Sequence, residues 1–280
     1  MIVYRTRKDL EQHIETLRGQ GKSIALVPTM GALHEGHASL VKKASEENDA
    51  IIVSIFVNPT QFNDPADLQR YPRTLEQDLE LLQNLQVHLV FVPSVKEMYP
   101  EEDRRIFDLG NLDKVLEGKY REGHFRGVAL IVTKLFELVK PTRAYFGQKD
   151  FQQLVIVRRL VKLMGVPLEI IGCPIVREED GLALSSRNTR LCQEERKQAP
   201  FIYQTLKLAR EKRGTMSPEQ IRAWVRTRFE QKDQMRLEYF EIVDDIALEP
   251  IHDWNEDKNK IGCIAVHLGE VRLIDNLKFN

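Results

Sequence analysis

The stretch Pro28-Thr-Met-Gly-Ala-Leu-His-Glu-Gly-His-Ala-Ser-Leu40 lies between two segments of different period. Before it, residues 23–27 (SIALV) read as a short buried strand. After it, residues 38–47 (ASLVKKASEE) have helical spacing, with Leu40, Val41 and Ala44 on one face. A strand, a glycine-bearing turn and a helix start together make an anion site, because the first amides of a helix are unpaired and point outward. His34 and His37 add donors able to follow charge developing on a phosphate.

Two other readings compete. An ordinary βα turn with surface histidines needs no ligand. A zinc site would start from His34-Glu35, but a metalloprotease helix needs its second histidine four residues on, where Ala38 stands. Zinc is excluded on that spacing. The pattern His-x-Gly-His after a first strand is instead similar to the nucleotidylyl-transfer superfamily, which acts at the α-phosphate of ATP.

Strand and helix alternate outward from this turn. Residues 9–18 form a short amphipathic helix, and 50–56 (AIIVSIF) a strand without polar alternation, as expected where both faces are covered. A helix over 74–86, a strand over 87–92, a helix near 112–117 and a long apolar helix over 124–139 follow. Next come a strand at 143–146, a helix at 151–164 and a strand at 167–171. This alternation predicts an α/β fold, a doubly wound, Rossmann-like parallel sheet. After Pro174 the order changes to helices over 193–212 and 217–231, then strands over 236–243, 261–267 and 271–274. A second, smaller α+β domain is expected there, dividing the chain into 1–175 and 176–280. The connection 176–190 folds over the first domain's cleft.

Size and composition fit an enzyme of this kind. The chain has 280 residues, 42% hydrophobic and 30% charged, with a net charge of −1 that argues against a nucleic-acid-coating surface. Cys173, Cys192 and Cys263 are widely spaced, which speaks against a disulfide framework or a structural zinc site and for a reducing, cytoplasmic setting. No run is long and apolar enough for a membrane helix, and the N-terminus lacks a signal-peptide core.

Polar clusters follow three of the expected strands, and ligands bind at carboxyl ends of strands where the winding reverses. That rule brings His34, His37 and Lys149 to one crevice. Lys149, in Gly147-Gln148-Lys149-Asp150, can neutralise phosphate oxygens while a carboxylate approaches. Asp150 reads most simply as the cap of the next helix. Leu184-Ser185-Ser186-Arg187 offers two hydroxyls and a guanidinium to a triphosphate. Gln61 and Gln153 can hydrogen-bond a small polar substrate if they face the crevice. Arg126 is either a buried ion-pair partner or a substrate contact.

With PTMGALHEGH, FVNPTQF, YPRT, GHFRGV, GQKDFQQ, GLALSSRN and RLIDN in this order, the chain resembles the pantothenate synthetase (pantoate–β-alanine ligase) family from about residue 20 to 190 and again at 272–276. The resemblance implies ATP-dependent condensation of pantoate with β-alanine through a pantoyl adenylate, giving pantothenate, AMP and pyrophosphate. It implies that Met30, Gly31, Ala32, Leu33, His34, Glu35, Gly36 and His37 line the ATP site, with His37 as proton donor. Gly147, Gln148, Lys149, Asp150, Leu184, Ser185, Ser186 and Arg187 also hold ATP, and the backbone of Val176 lies near adenine. Gln61 binds pantoate and β-alanine, and Gln153 binds pantoate. A homodimer is implied, and Mg²⁺ accompanies ATP with no dedicated protein metal site. Gln77 stands where some relatives carry an acid, leaving Asp78 as the one residual carboxylate toward Mg²⁺. A nucleotidylyltransferase moving AMP to a phosphate acceptor is the competing class; it shares the histidine turn without requiring FVNPTQF or GQKDFQQ.

Overall fold

The computed structural model describes residues 1–279. Its first half alternates as the sequence predicts: β1 (Ile2–Tyr4), α1 (Arg7–Gly19), β2 (Ile24–Thr29), α2 (Glu35–Glu47), β3 (Ala50–Ile55), α3 (Pro65–Arg70), α4 (Leu75–Asn84) and β4 (Leu89–Phe91). Then come α5 (Val95–Met98), α6 (Leu116–Tyr120), α7 (His124–Val139), β5 (Arg143–Gly147), α8 (Phe151–Met164) and β6 (Glu169–Cys173). The remainder holds α9 (Gln193–Gln198), α10 (Phe201–Glu211), α11 (Pro218–Glu230), β7 (Met235–Asp244), β8 (Lys260–Leu268) and β9 (Val271–Lys278).

Strands β1 to β6 form one six-stranded sheet in the order β1-β4-β3-β2-β5-β6, every pairing parallel. The winding reverses between β2 and β5, so the turns after these strands share one crevice. Alternate residues of each strand leave for opposite faces. Ile24, Leu26, Ile52, Leu89 and Phe91 enter a core with α1, α7 and α8. Ala25, Val27, Ile51, Val53 and Val90 enter another with α2 and α4. Both faces are covered, which is why these strands carry no polar alternation.

The antiparallel sheet β7-β8-β9 buries Ile242, Ile264, Val266 and Leu273 against α10 and α11. Neighbouring positions Val243, Ile261 and Cys263 join the large core of the parallel sheet instead. The small sheet therefore packs on both sides.

Several boundaries differ from the sequence reading, each for a local reason. β1 is an unexpected edge strand, too short and too exposed to show a pattern. The helix at 193–212 breaks into α9 and α10 around Pro200, which has no N–H for the ladder. The helix near 112–117 sits later, at α6, entered through Leu116 at φ 46°. α2 begins at Glu35, so Gly36 and His37 belong to its first turn. β9 continues past 274 because Asp275 and Asn276, polar in sequence, have buried partners.

One close approach decides where the 59–61 segment lies. Gly127 of α7 passes so near Thr60 that an added Cβ would stand 2.2 Å from the Thr60 carbonyl oxygen. Backbone cannot give way as a side chain can. Gly127→Ala should therefore lower stability by about 1–3 kcal/mol, as overpacking does. A urea-melt midpoint equal to wild type would show that the 59–61 segment moves freely instead.

Candidate active site

The turn between β2 and α2 is held by a residue 46 positions away from Ala32. Gly31 and Ala32 both take left-handed backbone angles, φ 79° and 51°. Asp78 of α4 accepts the amides of Ala32 and Leu33 on its two carboxylate oxygens, at 2.9 and 2.8 Å. Thr74 Oγ1 donates to the same carboxylate at 3.1 Å. Asp78 is buried and does not line the cleft; in this structure its carboxylate clamps the turn. Ser186 Oγ donates to the Ala32 carbonyl from the other side, at 2.9 Å.

Two histidines cap α2 reciprocally. His34 Nδ1 accepts the Gly36 amide at 3.1 Å, and His37 Nδ1 accepts the His34 amide at 3.3 Å. Each ring then carries its proton on Nε2. The rings sit 4.2 Å apart between centroids. Residue 36 must be glycine here, because a Cβ would stand 2.7 Å from His34 Cε1. Burial, then the Lys149 charge, pulls the His34 pKa down to about 4. Burial, His34 and Lys149 pull His37 down to about 3. Both imidazoles are neutral at pH 7 in the free protein.

The opposite wall follows β5. Lys149 has no ion-pair partner among the described residues, and its ammonium faces the cleft with the histidines. Gln148 turns away and donates to the Gly172 carbonyl at 3.1 Å. The expected Asp150 cap is absent: Asp150 occupies the N-cap position of α8, but its carboxylate makes no capping bond and lines the cleft. Asn276 of β9 donates from Nδ2 to the carbonyls of Gln148 and Lys149, at 2.8 and 3.0 Å. Its neighbour Asp275 takes two bonds from Arg177, at 2.6 and 2.9 Å.

The third wall comes from 58–61 and 176–187. Asn58 Nδ2 donates to Gln61 Oε1 at 3.1 Å, and Gln61 Nε2 points at Met30 Sδ, 3.1 Å away. Arg187 and Arg190 both grip Asp67 of α3, at 2.7 and 2.9 Å. Ser185 Oγ accepts the Arg187 amide, and the Val176 carbonyl accepts the Leu184 amide at 3.0 Å.

One cleft is lined by Met30, His34, Gly36, His37, Gln61, Gly147, Lys149, Asp150, Gln153, Val176, Leu184, Ser185, Ser186 and Arg187. Of the remaining expected residues, Gly31, Ala32 and Leu33 shape the turn through their backbone. Glu35 is solvent-exposed near Lys42, and Gln148 is turned aside. Arg126 is exposed on α7 and lines neither this cleft nor the small cavity beside it. Asn58 and Tyr71 line the cleft as well; both stood in quoted motifs, FVNPTQF and YPRT, without a role. Phe56, Val128, Ile131, Val132 and Leu135 add an apolar wall. Among the described residues no group of three or more His, Cys, Asp or Glu side chains is arranged to hold a metal, and no helix is long and apolar enough to cross a membrane.

Comparison with known proteins agrees with this geometry. The family model for pantoate-beta-alanine ligase matches residues 2–278. Curated proteins named pantothenate synthetase from Porphyromonas gingivalis and Bacteroides fragilis are 51% and 55% identical to this chain, covering 100% of it and 99% of their own lengths. A crystal structure of pantothenate synthetase from Thermus thermophilus superposes with a TM-score of 0.93 at 44% identity, covering 100% of this chain and 99% of that one. The Francisella tularensis pantoate-beta-alanine ligase, complexed with beta-gamma ATP and beta-alanine, superposes with a TM-score of 0.80 at 36% identity, covering 100% of this chain and 98% of that one.

The histidine pair carries a pH signature. Both native pKa values lie below the 6.5 of an unfolded histidine. Between pH 6.5 and 4 the unfolded chain therefore binds protons that the native rings refuse, so this part of the stability is complete above 6.5 and lost as pH falls. Ring NMR of the free protein should find His34 and His37 unprotonated down to about pH 5, with midpoints near 4 and 3. A midpoint above about 6 for either ring would contradict the burial argument.

Proposed function

The chain belongs to the pantoate–β-alanine ligase family, and from that premise we propose which residues of the cleft carry its reaction. It is an ATP-dependent ligase that condenses pantoate with β-alanine. The pantoate carboxylate attacks the α-phosphorus and pyrophosphate leaves; the β-alanine amine then attacks the activated carbonyl, loses a proton and displaces AMP as the amide forms. The observation that carries the assignment of roles is the face-to-face placement of Lys149 and the two neutral imidazoles across the reversal point of the sheet.

Met30–His37, Gly147–Asp150, Val176 and Leu184–Arg187 bracket ATP in this reading. With Nδ1 of both rings occupied by backbone amides, His34 and His37 present Nε2–H as hydrogen-bond donors to phosphate oxygens. Preformed donors of this kind stabilise charge that grows during attack. For His37 to deliver a proton as well, a bound polyphosphate must first lift its pKa from about 3. Lys149 offsets the like-charge approach of carboxylate to phosphate. Gln61 and Gln153 orient pantoate through hydrogen bonds, with Gln61 also near β-alanine, and the apolar wall suits pantoate's branched carbon skeleton.

Mg²⁺ enters in this reading with the triphosphate. Among the described residues Asp150 is the sole carboxylate lining the main cleft, which fits a cation held mostly by phosphate oxygens and water. A cytoplasmic setting draws support from three free thiols. A homodimer and a division of the chain at about residue 175 complete the reading, supported by the family and by the separate core around α10 and α11.

Lys149→Ala should lower adenylation by about 10²–10³, the range for a lost charge-stabilising donor, with less effect on β-alanine attack upon supplied pantoyl adenylate. Equal losses in both half-reactions would remove Lys149 from the phosphate. The chemistry itself is tested with pantoate carrying ¹⁸O in its carboxylate. One labelled oxygen should appear in AMP after turnover. Label in inorganic phosphate with ADP release would sink attack at the α-phosphorus.

A further inference from the structure

Lys149, Asp150 and Gln153 line a second, smaller cavity as well as the main cleft. Its other walls include Glu117, Arg121, His124, Tyr239 and Asn276. The cavity measures about 30 Å³, room for about two waters or the two oxygens of a carboxylate.

Arg121 is under-partnered in this chamber. Its nearest acid is Glu117, 3.8 Å away. Glu117 is already occupied: Arg272 donates to both its oxygens at 2.6 and 2.8 Å, and Tyr239 donates to it at 2.6 Å. Among the described residues the Arg121 side chain makes one hydrogen bond, 3.1 Å from Nη1 to His124 Nε2. That acceptor is fixed, because His124 Nδ1–H donates to the Gln61 carbonyl at 2.7 Å. A guanidinium offers five N–H donors in a planar fork, so most of this fork is uncommitted. Burial holds the Arg121 pKa down to about 10, and the like charges of Arg187 and Arg272 act the same way. An entering carboxylate relieves both effects.

We propose that Arg121 is the residue that binds the carboxylate of β-alanine, seating it in this chamber with the amine directed past Gln153 toward the acyl carbon. The inference rests on the ligase reading and names how its second substrate is recognised. Charge accounting selects this substrate. The triphosphate meets the histidines, Lys149 and the 185–187 segment. The pantoate carboxylate must lie against the α-phosphorus and is consumed as a nucleophile. The β-alanine carboxylate is the anionic group left without a cation, and it survives unchanged into the product. Arg187 lies in the main cleft with the triphosphate and does not line this chamber, so the guanidinium beside Gln153 left for this carboxylate is Arg121. Through His124, the support that orients this fork also holds the backbone of Gln61, so the two acid substrates share one frame.

The test compares wild type with R121Q, using β-alanine and propylamine as acceptors; propylamine has the amine and lacks the carboxylate. R121Q should raise the KM for β-alanine about 10–150-fold, the range for a hydrogen bond to a charged group. Pyrophosphate release from ATP and pantoate alone should stay within about twofold, and propylamine should be used equally by both proteins. A wild-type KM for β-alanine, or a parallel fall in adenylation or propylamine use, overturns the proposal. If melting shows that R121Q does not fold, R121K keeps the charge without the fork and should still raise that KM selectively; an unchanged KM in R121K overturns it equally. Failure of wild type to release pyrophosphate from ATP and pantoate would instead overturn the parent reading.

Discussion

The carboxylate of Asp78 holds the phosphate-facing turn in a shape the chain would not keep alone. Two successive residues, Gly31 and Ala32, sit at positive φ, and a non-glycine residue there costs about 1–3 kcal/mol. The two amides that this turn presents inward would be stranded without an acceptor. Asp78 takes both, and hydrogen bonds to a charged group contribute about 1.5–3 kcal/mol each, enough to offset the strain. The histidine caps, the Ser186 tether and the direction of α2 all start from that fixed turn. Three of the roughly four acceptor sites of this carboxylate are taken by the turn and by Thr74.

The small antiparallel sheet completes the site from the other side. Along β9, Arg272 joins Glu117 of α6 to Glu238 of β7, Asp275 holds Arg177, and Asn276 holds the backbone of the lysine loop. These charges are largely buried, so their desolvation offsets much of their attraction. Their value lies in register: sliding β9 by one residue would turn all three side chains to the wrong face. The position of Lys149 thus depends on a strand 127 residues further along the chain.

That distance explains what the sequence could and could not tell. Period and turn residues are local, so the alternation of strands and helices, the reversal point and the meeting of His34, His37 and Lys149 were legible. The clamps are not local. Nothing around Asp78 in a leucine-spaced helix marks it as the acceptor for the amides of Ala32 and Leu33. RLIDN stood out as a motif, but its three polar side chains acquire roles only once α6, the 177 loop and the lysine loop are placed against it. Asp150 shows the converse error: its position predicted a cap, and the backbone geometry there, φ −88° and ψ 62°, does not bring its carboxylate to the helix amides.

The charge state of the open cleft follows from the same architecture. Lys149 has no ion-pair partner among the described residues, and the histidines beside it are neutral first because they are buried and then because each would add charge next to its neighbour ring or that ammonium. The cleft therefore sets the donors of the 34–37 turn and the unpaired Lys149 ammonium toward an arriving polyanion, with Asp150 the carboxylate beside them. Once the phosphates are seated, the terms that depressed the imidazoles are opposed by negative charge, and their affinity for protons must rise. By linkage, nucleotide binding then tightens as pH falls toward the new pKa values, since a group that binds protons better in the complex makes the complex bind better with protons. Neutral in the free protein and more basic in the complex, the pair can avoid repulsion with Lys149 while the cleft is open. It can still supply a proton after the triphosphate has arrived.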